Sequence, residues 1–553
     1  MILKKKKDIK EESGAGSFMS GVMVLSLSTL LVKIIGLAFK IPMLSFLGTE
    51  GMGYFNSAYE IYALLCVVST AGLPVALSML VSAARARGDG GAVTDVYKTA
   101  RALFLSMGLL GSAAMLLLSS QISELIGNSE SYYSILAIAP ALLFICLASA
   151  VRGYCQGFGD MRPTAISQLI EALSKLGLGI LFAVIAIKRG YSTPAVSAFA
   201  VFGITVGALL SLVYLCIARR SHVVTKGRQT RSRETLGPLL KIAFPVTVGS
   251  LIMGCSRIID MALIMRRLQD AGGSAAEANK IYGAYTTLAV PVFSLIPALI
   301  APIAMALIPE LSSHIEKGDA AGQGRTVGNA MRLTALFSMP AALGLAAFSR
   351  PVLELLFYGQ REAIDTSAPL LSVLGISVVF SCIISTASAI LQSYGHASFP
   401  IVSMAIGILI KLAVSYTLIG DSRFGAMGAP IGSLACAVTV GGLDLWYVCF
   451  KCGVSLSIGN ILIKPLLSSL ASVGGGLALY IALLPLKMGA LGFLISAFAV
   501  LLLYIALSLC FGSLGVEDIA LLPCGSRILK GRKIKNKRGT ENDGFGKEEG
   551  TFK

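Results

Sequence analysis

Residues 170–178 read IEALSKLGL and residues 406–414 read IGILIKLAV, two apolar stretches that set Lys175 and Lys411 at the same point, 236 positions apart. Each puts a charge inside a run that otherwise suits the interior of a membrane, where ionisable groups are costly and mark function. Around them the 553-residue chain is 55% hydrophobic and only 14% charged, with a mean hydropathy of +0.80. Soluble domains carry about 25% charged residues. This composition therefore predicts a membrane protein. About 20 apolar residues span the hydrocarbon core, and the apolar runs divide into about 14 such helices. Prolines interrupt the long second and eighth runs, at Pro74 and at Pro291, Pro297 and Pro302, where bent or broken helices are expected.

Three further matches lie at separations of 236, 230 and 224. QGFG ending at Gly159 recurs as QSYG ending at Gly395. ARGDGG at 86–91 corresponds to EKGDAAG at 316–322, setting Asp89 against Asp319. VKIIGLAF aligns with SRIIDMAL, setting Lys33 against Arg257. Four matches in one order predict a duplicated six-helix unit. Six crossings return the chain to its starting side, so the copies run parallel about an axis along the membrane normal. The expected architecture is all-α and polytopic. It comprises a cytoplasmic tail (1–16), an N-lobe (17–218), a basic inter-lobe loop (219–235), a C-lobe (236–450), two extra helices (461–512) and a basic tail (513–553).

Orientation follows from charge. With both termini on one side, about 32 of the 46 lysines and arginines fall there, which makes that side cytoplasmic. The net charge of +17 is mostly this signal, with added attraction to anionic lipid headgroups. Spread over every inner loop, it is not a nucleic-acid footprint. The opening MILKKKKDIKEESGAG is too polar for a signal peptide. The 11 cysteines form no disulfide framework, and Cys449 and Cys452 in CFKC lack the second pair a metal site needs. The 3 histidines, His222, His314 and His396, are not at metal-ligand spacing, and no Gly-rich loop ends in Lys-Ser/Thr. No enzyme chemistry, metal or cofactor is expected. The energy source is a gradient, the membrane potential or consumption of product, with the coupling ion left open.

The intramembrane charges are the candidate site residues. Lys33 and Lys40 are seven apart, about two turns, and share one face of the first helix. If the first helices of the two lobes face each other, Lys33, Lys40 and Arg257 converge on an anion such as a diphosphate, while Glu60 is a further charge on the second helix. Two plainer readings stand next to this one. Lys40 can snorkel to the outer headgroups, and Asp260, three residues after Arg257, can neutralise it. Glu171 and Lys175 are an i,i+4 pair that can neutralise itself or couple charge movement to gating. Lys411 faces Gly407 where Glu171 would be, and so lacks that local partner.

The stretches VKIIGLAFKIPMLSFLGTEGMGYFNSAYEIY, GLPVALSMLVSAARARGD and VRGYCQGFGDMRPTAISQLIEAL resemble the stage V sporulation protein B and MurJ-like lipid II flippase branch of the multidrug/oligosaccharidyl-lipid/polysaccharide exporter superfamily. The resemblance covers about residues 17 to 512. It implies two six-helix lobes in a V with two extra helices forming a lipid-tail groove. It also implies alternating-access export of an undecaprenyl-diphosphate-linked sugar to the outer leaflet, with the lipid-linked glycan and membrane lipids as partners. The oligomeric state is left open, and a monomer is compatible with this architecture. Matching positions lend support to Lys33 and, less directly, to Lys40, Glu60 and Arg257. Where the resemblance suggests arginine, Lys33 and Lys175 keep the charge without the bidentate fork. Two other readings compete: a cation-coupled multidrug antiporter, which predicts an acidic cavity, and a membrane-embedded glycan polymerase or transferase, which needs a large outer loop.

Overall fold

The computed structural model describes residues 2–221, 232–421, 423–453, 459–486 and 488–512, and no strand occurs among them. The core of the expected inter-lobe loop (222–231) and the C-terminal tail (513–553) lie outside the described residues. The first half runs α1 (Ile2–Thr70), α2 (Gly72–Ala86), α3 (Gly90–Leu117), short α4 (Ser119–Leu125), α5 (Tyr132–Gly157), α6 (Arg162–Lys188) and α7 (Thr193–Ala218). The second runs α8 (Ser232–Asp270), α9 (Ala275–Ala284), α10 (Val290–Glu316), α11 (Ala320–Ala347), short α12 (Ser349–Leu356), α13 (Arg361–Ser393), α14 (Phe399–Ile419) and α15 (Gly428–Lys451). A hairpin of α16 (Lys464–Leu483) and α17 (Gly489–Cys510) follows.

Thirteen helical stretches among the described residues are long and apolar enough to cross a membrane. The first, Leu27–Ala86, has 60 residues. At 1.5 Å per residue that is about 90 Å, against a hydrocarbon core of about 30 Å, so it holds two crossings. The turn between them is at Gly48, whose φ of 65° and ψ of −178° are open only to glycine. The thirteen stretches thus contain the expected 14 crossings. The helix begins at Ile2, inside the basic segment expected as a tail, because its lysines and glutamates are good helix formers.

The prolines act just before themselves. The chain breaks at Ala71, three residues ahead of Pro74, which then sits in the first turn of α2. In the eighth run a π-turn, Tyr285–Ala289, precedes Pro291, and α10 passes through Pro297 and Pro302 without interruption.

The duplication is visible in backbone geometry. Asp89 caps α3 by accepting from the Ala92 N–H, and Asp319 caps α11 by accepting from the Gly322 N–H, both at 2.9 Å. Each follows a left-handed glycine, Gly88 at φ 73° and Gly318 at φ 66°. Gly159 and Gly395, which end the matched QGFG and QSYG stretches, have φ of 81° and 80°. In both halves a 28-residue helix is followed by a short one, α3 then α4 and α11 then α12.

Helices α1, α2, α3, α5, α6 and α7 pack on one another, as do α10, α11, α13 and α15, with α14 joining α15. Between these sets, α8 touches α1, α2, α3 and α14, while α9 lies along α1. The α16/α17 hairpin leans on α11 and α12. Its outward face shows Leu494, Phe498, Leu501 and Leu502 exposed, which suits lipid rather than water.

Candidate functional site

The charges of the apolar interior gather where the two halves meet. On α1 the Lys40 ammonium donates to the Thr286 carbonyl at 2.6 Å, reaching across to the other half rather than out to the headgroups. The reason is local. The Val290 N–H bonds the Tyr285 carbonyl five residues back, so the next donor in that register, to the Thr286 carbonyl, would be residue 291. Residue 291 is proline and has no N–H. Lys40 supplies the missing hydrogen, and one residue on, Asn56 donates to the Thr287 hydroxyl at 2.9 Å.

Arg257 on α8 does not take Asp260 as its partner. Its Nε lies 3.5 Å from Glu60 Oε2, on the second arm of α1, and the guanidinium stays half exposed at 49%. At that distance the contact is an ion pair without a hydrogen bond, and Glu60 Oε2 has no hydrogen-bond partner. Asp260 turns to α14, where Lys411 donates to it at 2.6 Å and to Ser256 at 3.1 Å. Three residues on a helix are about 60° apart in azimuth, enough for Arg257 and Asp260 to find separate partners on separate helices.

Glu171 and Lys175 do not pair with each other either. Glu171 accepts from Arg152 Nη2 at 3.1 Å. The same guanidinium donates to Ser167 at 2.9 Å and Ser211 at 3.2 Å, fixing α5, α6 and α7 together. Lys175 lies over three rings of α1, 4.5 Å from Tyr59, 5.0 Å from Phe39 and 5.4 Å from Phe55, where the ammonium meets the negative faces of the aromatics. Arg152 was absent from the sequence-derived set. It had a signal: at the 236 offset its counterpart is Ser388, as Gly407 is that of Glu171, so both members of the pair are missing together from the second half.

Lys33, two turns before Lys40, is exposed and makes no ion pair among the described residues. The structure thus brings together Lys40, Glu60, Arg257 and Lys175 with its rings. It sets Asp260, with Lys411 bound to it, on a face of α8 about 60° from Arg257, Glu171 inside the first half, and Lys33 two turns before Lys40 on α1.

Both ends of this junction are in contact. At the Gly48 end, Asn279 donates to the Glu50 carbonyl at 2.8 Å, Asn128 donates to Asn279 at 2.9 Å, and Gln269 donates to the Gly127 carbonyl at 3.0 Å. A cavity of about 490 Å³ opens beside them, lined by Tyr54, Glu124, Glu130 and Gln269. At the opposite end Gly72 lies against the Ala243 carbonyl and the Thr247 hydroxyl, an approach no larger residue would permit.

Comparison with known proteins agrees with this architecture. A family model described as "Polysaccharide biosynthesis protein" matches residues 18–314, more than half of the chain, and a MatE model matches residues 279–417. Stage V sporulation protein B of Bacillus subtilis (strain 168) is 25% identical over 431 residues, covering 77% of this chain and 82% of that protein. Lipid II flippase MurJ of the same organism is 26% identical over 431 residues, covering 73% and 78%. Among solved structures, lipid II flippase MurJ in an inward closed conformation superposes with a TM-score of 0.67 at 17% identity, covering 88% of this chain and 98% of that one. An inward-facing multidrug transporter of the MATE family, in the MOP superfamily, gives 0.60 at 16% identity, covering 77% and 97%. Matched over most of its helices by such relatives and over more than half its length by one family model, the chain is a multi-pass membrane protein belonging to the polysaccharide biosynthesis protein family.

Proposed function

We propose that this protein is an alternating-access flippase. It moves an undecaprenyl-diphosphate-linked glycan precursor, lipid II or a related cell-wall, spore-cortex or polysaccharide intermediate, from the cytoplasmic to the outer leaflet. The observation that carries this reading is a set of cations with no hydrogen-bonded carboxylate partner among the described residues, Lys40 and Arg257 where the two halves meet and Lys33 two turns before Lys40 on α1. Lys40 is held by a neutral carbonyl, Arg257 by a carboxylate too distant to hydrogen-bond, and Lys33 by no ion pair among the described residues. A diphosphate offers several anionic oxygens and can replace each of these contacts with a charge-assisted one. Replacing them removes ties that now join α1 to α8 and to the π-turn, which is how binding would bias the lobes toward a new arrangement. In this reading residues 17–218 and 236–450 are the lobes of a V, both termini are cytoplasmic, and the protein transports rather than catalyses.

The named relatives support it: one is a lipid II flippase, and both cover about three quarters of this chain. The MatE match and the multidrug transporter structure favour a second reading, a cation-coupled antiporter. A cation-coupled antiporter calls for an acidic cavity, whereas this junction carries Lys40, Lys175 and Arg257 against Glu60. The test is depletion in cells lacking redundant flippases, with lipid-linked precursor measured in each leaflet. Accumulation in the inner leaflet is expected. Unchanged distribution, or loss of cationic dye export instead, would overturn the reading.

A further inference from the structure

Asp444 stands in the apolar second half with no ion pair among the described residues. Its side chain, on α15, is wholly buried, and Oδ2 has no hydrogen-bond partner. Oδ1 lies 2.6 Å from Ser403 Oγ on α14, and the same Oγ lies 3.1 Å from the Pro400 carbonyl. A serine hydroxyl has one hydrogen to give.

Two ways of placing the hydrogens follow. With Asp444 ionised, Ser403 must turn its only hydrogen to the carboxylate, and a full charge rests on one donor in a lipid-embedded core. Burying an unpaired carboxylate costs far more than one hydrogen bond returns. With Asp444 neutral, its acid O–H donates to Ser403 Oγ, and Ser403 donates to Pro400. Every hydrogen then has an acceptor and no charge is buried.

Among the described residues, α13 and α14, the helices packed most closely on α15, supply no counter-charge. The one charged side chain of α14, Lys411, is eight residues and about 12 Å along the helix, and it is bound to Asp260 of α8. From Thr366 to Ser393, α13 has a single titratable group, the Cys382 thiol. On α15 the other titratable groups are Cys436, Tyr447, Cys449 and Lys451. Tyr447, one turn past Asp444, meets the His396 ring at 5.4 Å between centroids, at the end of the helix pair. A metal cation fits poorly: three side-chain oxygens, two from Asp444 and one from Ser403, with the Pro400 carbonyl as a fourth, fall short of the six or so that hard cations gather.

We propose that Asp444 is a proton-binding site in the second half, filled in this conformation, which exchanges its proton with water at the His396/Tyr447 end of the α14/α15 pair. The step moves one proton and no electrons, leaving a carboxylate that water must solvate. Proton exchange here would tie transport to a proton gradient. That coupling rests on the transport reading, whereas the site itself does not.

Infrared spectroscopy of the full-length protein in lipid vesicles at neutral pH tests the site. A neutral-carboxyl C=O band is expected, lost in D444N and retained but displaced in S403A, which removes its hydrogen-bond partner. Absence of the band from wild type, its persistence in D444N, or an unmoved band in S403A would overturn the assignment. Flipping of a fluorescent undecaprenyl-diphosphate glycan in the same vesicles, with and without a pH gradient, tests the coupling. Gradient stimulation should vanish in D444N, and a wild type indifferent to the gradient would overturn the coupling. No flipping under either condition would defeat the transport reading and leave the infrared result to decide the site.

Discussion

Lys40 gives the Thr286 carbonyl the hydrogen that Pro291 cannot, a contact of 2.6 Å between helices 246 residues apart in sequence. Hydrogen bonds to a charged donor contribute about 1.5–3 kcal/mol. The substitution K40M should lose a stabilisation of this order in wild type and much less in a P291A background, where the backbone regains its own donor. A double-mutant cycle on unfolding in detergent measures this. Equal losses in both backgrounds would show that Pro291 does not create the vacancy Lys40 fills.

Asp260 and Lys411 form a buried pair whose first-half counterparts are Gly36 and Lys175, so only one half uses an acid there. Removing one member of a buried pair costs about 3–5 kcal/mol, since the other charge is stranded. D260A and K411A should each lower the melting temperature markedly, while the double variant D260L/K411M recovers much of it. A double variant as unstable as the sum of the singles would mean that the two side chains are not coupled and that neither single variant strands a buried charge.

Lys33 is the exposed cation of the α1 face and has no structural partner to lose among the described residues. K33A should abolish complementation of a flippase-depleted strain with a melting temperature within about 0.5 kcal/mol equivalent of wild type, as for surface sites generally. K33R should retain function. Full activity of K33A would remove Lys33 from the mechanism.

Gly283 on α9 faces the Thr49 carbonyl and the Gly53 N–H of α1, with no room for a Cβ. G283A should hold the Gly48 end apart. A cysteine introduced at Ser57, buried at 0% in this arrangement, should then react with a water-soluble maleimide faster than in the glycine parent. Unchanged reactivity would mean that the backbone yields without parting the helices.

Asp319 lies between membrane segments, and its carboxyl is held below the ordinary aspartate range by the Gly322 N–H and then by His314, 3.0 Å away. A depressed value in the folded state means the group stabilises above the unfolded aspartate pKa of about 3.9 and ceases to do so as pH falls through the folded value. D319N should therefore flatten the acid limb of the stability profile below about pH 4 and leave the neutral region nearly parallel to wild type. An identical acid limb in both proteins would remove Asp319 from that titration.

Much of the molecule was legible before any coordinates. Apolar runs about 20 residues long set the crossings, because lipid admits helices and little else. The spaced matches Asp89 with Asp319 and Gly159 with Gly395 revealed the duplication, because caps and left-handed turns accept few residue types. The sequence also restricted the candidate charges to a handful, because each one inside a membrane has to be compensated. It could not assign partners. Spacing along a helix favoured Glu171 with Lys175 and Arg257 with Asp260, yet both acids turn to basic groups on other helices, Arg152 and Lys411, and Arg257 pairs with Glu60. Local reach is a few tenths of a kcal/mol of preference on an isolated helix. A buried charge answers to the whole of its surroundings, so helix packing decided which cations are neutralised and which remain for an anion.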